Sequence, residues 1–427
     1  LQSKVHIFPA VEREATSIPI SSFLSKDNKL QIFPAVTSKA YFEIRYKNDQ
    51  LILVAGKYIG LIPINEEVAI DVRPKVGIGS LVHIISKSRE YLDSLEFFER
   101  YYNESGKTSP TIFDFFASCL SNALQKLEQE GLYKQYLKRQ ENLSGPRGHL
   151  DVRRTALTNW ACSKYYKAFC EYFEFTANNC YNRMIKFTLW YCLNHLLNIN
   201  SSNRTLIRSL AQFYDYFESV PLDKSLSFLP PVISDIHDQK IPTLRAYYEN
   251  ICKICRCIIE DVGISLTDIG EDVNLLSFII NMENVFERYL LYILRESFIL
   301  KERNVAILDG NREGKGYLFR DTKAYEAKPD IIIREAGKTA IIIDAKYKKK
   351  ASDSDRHQIV SHSLSYGVKK AVLALPSTNP NIKGLVRIGE VGDDFRVEVF
   401  EYYMDLESDD LLQEEKNYIN EVNKLLQ

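Results

Sequence analysis

Two triple-isoleucine runs, Ile331-Ile332-Ile333 and Ile341-Ile342-Ile343, constrain this chain more than any other feature. β-Branched residues in short runs favour extended backbone. Between the runs, Glu335, Ala336, Gly337 and Lys338 are polar and contain a turn glycine, so the pair reads as an antiparallel hairpin. Asp330, behind Pro329, opens the first run; Asp344 closes the second, with Lys346 two places on. Antiparallel pairing brings Asp330 near Asp344. Strand alternation then puts Asp344 and Lys346 on one face, with Ala345 pointing away.

The residue types at these positions suit one kind of chemistry. Two carboxylates, the backbone carbonyl of Ala345 and waters form an oxygen-rich set for Mg²⁺, with Mn²⁺ able to substitute. Such an ion polarises a scissile phosphate and helps supply hydroxide. Lys346 can orient or deprotonate the water, or stabilise charge on a phosphorane-like transition state. A P-D…D-x-K spacing is that of a metal-dependent phosphodiesterase. The bland alternative is a hairpin with charged residues where strands meet solvent, and the flanking elements weigh against it.

Upstream, Met282, Val285, Phe286, Tyr289, Leu290 and Ile293 form one apolar helical stripe. Glu287 lies beside it, either reaching a metal or its water, or forming a surface ion pair with Arg288 or Arg295. Downstream, residues 353–366 read as a helix with Gln358, His362 and Tyr366 on one face, and a strand follows from Lys369. The order helix, strands, P-D strand, D-x-K strand, helix, strand is similar to the αβββαβ core of the PD-(D/E)xK nucleases. Lys348, Lys349, Lys350 and Arg356, with Lys369 and Lys370, make a basic cluster beside the carboxylates and are the expected DNA-phosphate contacts.

Net charge of −1 means that any nucleic-acid contact comes from such local patches rather than from bulk charge. With 427 residues, two or three domains are expected. No run of 18 apolar residues suggests a membrane span, and the first residues have no signal-peptide layout. Eight cysteines without a secretory pattern fit a reduced, cytoplasmic compartment. Cys252, Cys255 and Cys257, with Cys192 and His195, invite a zinc reading, but all sit in helical stretches and read better as buried thiols. The triplets Gly106-Lys107-Thr108 and Gly337-Lys338-Thr339 lack the upstream glycine of a phosphate-binding loop, since Tyr101 and Ile332 stand there. No nucleotide site is expected in this chain.

The fold class expected is a multidomain α+β protein. Residues 1–85 form a small β-rich domain and residues 86–270 a mainly helical region. Residues 271–427 form an α/β nuclease core. Within the helical region, Asn142 to Thr155 is a Gly- and Arg-rich connector, read equally as a turn feeding a short strand or as a basic contact loop. Asp261 to Glu271 is a turn-containing boundary. The tail from Leu411 to Leu426 forms an amphipathic helix through Leu412, Ile419, Val422 and Leu426.

Several segments, in order, resemble the McrC family, the nuclease subunits of McrBC-type modification-dependent restriction systems. These are the strand containing Gly60, the run ending Arg73-Pro74-Lys75, and Gly131 to Tyr136 leading to Leu143…Arg147-Gly148-His149-Leu150-Asp151. Asn182 to Lys186, Met282 to Arg288, the P-D…D-x-K pair and the helix of Gln358 complete the set. His149 stands where the family often has arginine, and the segment Ser201 to Lys240 is longer than the family's. The resemblance implies a hexameric, McrB-like AAA+ GTPase partner. The N-terminal portion would enter that ring and stimulate GTP hydrolysis, while the C-terminal nuclease cuts both strands of double-stranded, modified DNA. It also implies that Asp330, Asp344 and Lys346 are the catalytic set, with Glu287 and Gln358 as further candidates. The alternatives are a stand-alone repair-type nuclease and a non-catalytic activator of an AAA+ NTPase.

Overall fold

The computed structural model describes residues 6–24, 30–38, 40–47, 50–65, 67–88, 111–198, 201–260, 278–314, 316–319, 321–377, 382–408 and 410–427. The chain forms two compact units, Leu1–Phe115 with Asp261–Gln427, and Phe116–Glu260. The expected boundary at Asp261 to Glu271 lies outside the described residues.

The first unit begins with β1 (His6–Val11), β2 (Ala15–Pro19), β3 (Phe42–Lys47), β4 (Gln50–Ala55), β5 (Tyr58–Pro63) and β6 (Val68–Arg73). In β4, Leu51, Leu53 and Ala55 are buried and their neighbours less so, as the period of two requires. β4 pairs antiparallel with β2 and β3. β1 runs parallel to β6, and β5 antiparallel to it. The helix Ile78–Ser88 follows.

The second unit contains most of helix Ile112–Glu130 and the helices Cys180–Asn198, Arg204–Tyr216, Leu229–His237 and Ala246–Glu260. Asn182 donates to the carbonyls of Tyr133 and Ala177 at 2.9 and 2.7 Å and accepts from the Tyr248 hydroxyl at 2.7 Å. Lys186 Nζ donates to the carbonyls of Phe217 and Val220 at 2.9 and 2.6 Å. Buried polar groups left unpaired would each cost about 1–3 kcal/mol, so this stretch is scaffold. Cys192, Cys252, Cys255 and Cys257 are fully buried, and burial pushes the Cys255 thiol up to about 12.

This unit is not helical throughout. β7 (Gln135–Leu143), β8 (His149–Leu150) and β9 (Ala168–Thr176) form a sheet in the order β7-β9-β8. The connector from Asn142 therefore does feed a short strand. Asp151 then caps helix Val152–Thr158 through the Arg154 N–H at 2.8 Å. Arg147 and Arg154 lie over the rings of Tyr172 and Phe169.

The first unit resumes with β10 (Phe278–Asn281), which pairs antiparallel with β5 and completes a sheet ordered β1-β6-β5-β10. Gly60 faces Ile279 at φ +106, and a Cβ there would collide with the Phe278 carbonyl oxygen. Glycine is what lets the two strands close up. Stretches 1–85 and 271–427, read as separate domains from sequence, thus share one sheet. β10 runs straight into helix Met282–Glu296, capped by Asn281.

β11 (Val305–Asp309), β12 (Gly316–Phe319), β13 (Ala324–Ala327), β14 (Ile331–Glu335) and β15 (Lys338–Ala345) come next. Helix Asp353–Tyr366 then crosses to β16 (Lys370–Pro376), followed by β17 (Gly384–Val391) and β18 (Val397–Met404). The six-stranded sheet has the order β11-β14-β15-β16-β18-β17. β14 and β15 pair antiparallel from Ile331↔Ile343, and β15, β16 and β18 run parallel. All six isoleucines of the two runs are fully buried. Ile332 and Ile342 pack in one core with Ile359, Leu373 and Leu375.

The last helix, Leu411–Leu425, buries Leu411, Glu415, Tyr418, Val422 and Leu425. That corrects the expected stripe: Leu412 is 51% exposed, and of the four residues named only Val422 is buried. Glu415 is drawn inward by His83 Nε2 at 2.8 Å, Lys87 Nζ at 2.5 Å and the Tyr289 hydroxyl at 3.0 Å. Among the described residues, no helix is long and apolar enough to cross a membrane.

Candidate active site

The β14–β15 register carries Asp330 to the end of one strand and Asp344 to the end of its neighbour. Asp330 Oδ2 accepts the Ala345 backbone N–H at 2.7 Å. Asp344 is 1% exposed, and Lys346 Nζ lies 2.7 Å from its Oδ2. An ionised carboxylate oxygen keeps further lone pairs beside such an ion pair. Burial, followed by the charges of Asp344 and Glu287, holds the Asp330 carboxyl well above the usual carboxylate range. For Lys346, burial disfavours the charge, but Asp344 and Asp330 outweigh it and raise the pKa above that of an ordinary lysine. Beside the two carboxylates Lys346 is thus held in its charged form.

Glu287 lies on helix Met282–Glu296, and its carboxyl is raised by burial, then by Asp309 and Asp344. Asn311 Nδ2 donates to its Oε1 at 2.9 Å. Arg295 pairs instead with Glu313 at 2.7 Å. The sequence reading missed Asp309 and Asn311, which flank Gly310 in the turn after β11. That turn presses against Pro329, where a Cβ on Gly310 would collide with the carbonyl oxygen, and the Gly310 N–H donates to the Asp330 carbonyl at 3.1 Å. The Asp309-Gly310-Asn311 turn signal could have pointed to it.

On helix Asp353–Tyr366, Gln358 is exposed, and among the described residues no hydrogen bond or ion pair joins it to the carboxylates. His362 is the buried member of that face. Its Nδ1 lacks a partner, and burial lowers its pKa against an opposing pull from Asp344. Tyr366 donates to the carbonyls of Gly314 and Ala327 at 3.0 and 2.9 Å. In the basic cluster, Lys348 is paired with Asp355, and Arg356 with Glu401 at 2.9 Å and Asp353 at 3.2 Å. Lys349 and Lys350 are exposed. Gly337 occupies the hairpin turn at φ +79, while the Gly106 triplet lies outside the described residues.

The donor set fits a hard cation. It offers buried carboxylate oxygens and a mutual repulsion that positive charge would relieve. Among the described residues, no three His, Cys, Asp or Glu side chains converge to hold a metal.

A sequence model of the family described as McrBC 5-methylcytosine restriction system component matches residues 53–376. No curated protein matches this chain. The fold is similar to a chain from the refined half-complex of the tetradecameric assembly of Thermococcus gammatolerans McrB AAA+ hexamers with bound McrC. That likeness has a TM-score of 0.61 at 16% identity, covering 98% of this chain and 100% of that one. A chain from the cryo-EM structure of the Thermococcus gammatolerans McrBC complex matches at TM-score 0.41 and 11% identity, over 68% of this chain and 88% of that one.

Proposed function

The chain belongs to the McrBC 5-methylcytosine restriction system component family, and on that premise we propose that it is the nuclease subunit of such a system. It cuts double-stranded DNA in the cytoplasm with a Mg²⁺ ion, and it stimulates a McrB-like AAA+ GTPase hexamer that hydrolyses the GTP. The observation that carries this reading is the meeting of Asp330, Asp344 and Lys346 at the ends of β14 and β15. The core around them is a PD-(D/E)xK nuclease core, within residues 271–427. Residues 1–85 are proposed to dock the ring.

Asp330, Asp344 and the Ala345 carbonyl would hold Mg²⁺, or Mn²⁺ in its place. When bound, the ion supplies Lewis-acid polarisation of the scissile phosphate and activation of water. Lys346, as an ammonium, stabilises the charge that builds on the phosphate. Glu287, oriented by Asn311, and Gln358, on the open face of its helix, take supporting roles. Lys349 and Lys350 neutralise nearby phosphates, while Lys348 and Arg356 reach DNA by exchanging Asp355 and Glu401 for it.

The test is Mg²⁺-dependent cleavage of methylated plasmid by this chain alone and with its cognate AAA+ protein and GTP. Cutting only in the full mixture supports the proposal. Cutting by the chain alone would favour the stand-alone nuclease, and GTPase stimulation without cutting the non-catalytic activator.

A further inference from the structure

Lys346 has a neighbour that the reaction described above does not use. β15 ends at Ala345, and the next residues leave the sheet: the Lys346 N–H still bonds the Ala374 carbonyl at 2.8 Å, but the Lys348 N–H turns back to the Lys346 carbonyl at 2.7 Å. Tyr347 sits at the centre of this turn, 4% exposed. Its ring lies 5.8 Å from that of Phe286, the residue before Glu287, and 5.1 Å from the Arg13 guanidinium. Its hydroxyl is 3.3 Å from Glu12 Oε2, to which it donates.

Glu12 and Arg13 come from the opposite end of the chain, in the turn between β1 and β2. Glu12 is 2% exposed and lies 3.7 Å from the Arg13 guanidinium. The backbone fixes both: the Glu12 N–H donates to the Arg73 carbonyl at 2.9 Å, and the Arg13 N–H to the Ala55 carbonyl at 3.0 Å. Arg13 adopts φ +57, a left-handed conformation that costs a residue with a Cβ. A buried carboxylate and a strained arginine are a costly way to make a plain turn. Beside them opens a cavity of about 420 Å³, lined in part by Arg13, Lys75, Tyr347 and Lys348. The hydrogen bond to Glu12 and the Arg13 guanidinium over the ring are the polar contacts that hold the hydroxyl end of Tyr347 beside this cavity.

We propose that Glu12 and Arg13 are positioning residues that act through Tyr347, holding the turn after β15 so that the adjoining Lys346 stays against Asp344. This rests on the reading of Lys346 as part of a nuclease site. It makes the N-terminal turn a determinant of cleavage.

The experiment is a double-mutant cycle on the full chain with its AAA+ partner, GTP and Mg²⁺. It combines Glu12→Ala and Tyr347→Phe, with Glu12→Gln as the conservative variant and Asp344→Ala as control. Cleavage kcat, KM for DNA and thermal midpoint are read together. Tyr347→Phe keeps the ring against Phe286, so the fold survives even where Glu12→Ala does not. Each single variant is expected to lower kcat about tenfold, the effect of one lost hydrogen bond, with KM unchanged. The double variant should be no worse than the poorer single. Glu12→Gln, which keeps an acceptor for the tyrosine hydroxyl, should restore most of the rate. Wild-type kcat in Tyr347→Phe, additive losses, or losses that track the unfolded fraction would overturn the proposal. Failure of the positioning role alone appears as a dead Asp344→Ala beside fully active Tyr347→Phe; normal cutting by Asp344→Ala removes the nuclease reading and this one with it.

Discussion

The Ala345 backbone N–H donates to Asp330 Oδ2 at 2.7 Å, so the end of one strand braces the carboxylate at the start of the other. The bond holds Asp330 within electrostatic reach of Asp344, which is buried and paired with Lys346. Two acids are thereby kept close at a cost that a cation would offset.

Asp344→Ala is expected to abolish DNA cleavage, with a loss beyond about 10³-fold, because the proposed metal donor and the partner of Lys346 disappear together. Stimulation of the AAA+ GTPase should persist. Parallel cleavage and phosphate-release assays decide it: loss of both would mean that the two activities are not separable in this chain.

Asp330 gives the metal-free protein a particular pH dependence. Its folded pKa is raised, through burial and then Asp344 and Glu287. The fold therefore binds the proton more tightly than the unfolded chain, and this contribution is full below the ordinary aspartate pKa. Stability should fall as pH rises from about 4 toward the elevated value. Thermal midpoints of wild type and Asp330→Asn, measured across that range in chelator, should converge at low pH and separate in favour of the variant as pH rises. Parallel curves would refute the assignment.

Glu415 should act in the opposite sense. Burial alone would raise its carboxyl, but hydrogen bonds from His83 and Lys87 outweigh that and hold it below the usual range. Its stabilisation is present above the unfolded glutamate pKa and lost as pH falls through the depressed one. Glu415→Gln leaves Lys87 without its buried counter-ion and is expected to cost about 3 kcal/mol at neutral pH. Denaturant titration at neutral and acidic pH would show the difference shrinking with acidification.

Gly60→Ala should destabilise by about 2 kcal/mol or more, because φ +106 is strained for alanine and its Cβ meets the Phe278 carbonyl. Calorimetry of the two proteins tests this, and an unchanged midpoint would place β10 elsewhere.

The hairpin carrying the carboxylates was legible because its isoleucine runs are buried on both faces and so stand out as unbroken apolar blocks. Helix Asp353–Tyr366 lies where the sequence led one to expect it, and its Ser352–Asp355 capping box marks the start. Sheet β7-β9-β8 was not legible. Tyr136, Lys138, Phe173 and Phe175 share one exposed face, so aromatics stand where the alternation of a strand leads one to expect polar residues. On the helix, Gln358, His362 and Tyr366 drift around the axis with every step of four, and only His362 is buried. The union of the N-terminal strands with residues 278–281 left one local trace, Gly60, whose reason lies far along the chain.

The pairing of β5 with β10 also bears on the order of synthesis. A ribosome releases β5 early and β10 only after the whole of Phe116–Glu260 has emerged. The first sheet therefore waits for its last strand, and β14 and β15 follow that strand off the ribosome. On the proposed reading, an interrupted translation product has no blade, and a cell making this protein is exposed to a cutting edge only once the chain is long enough to be governed.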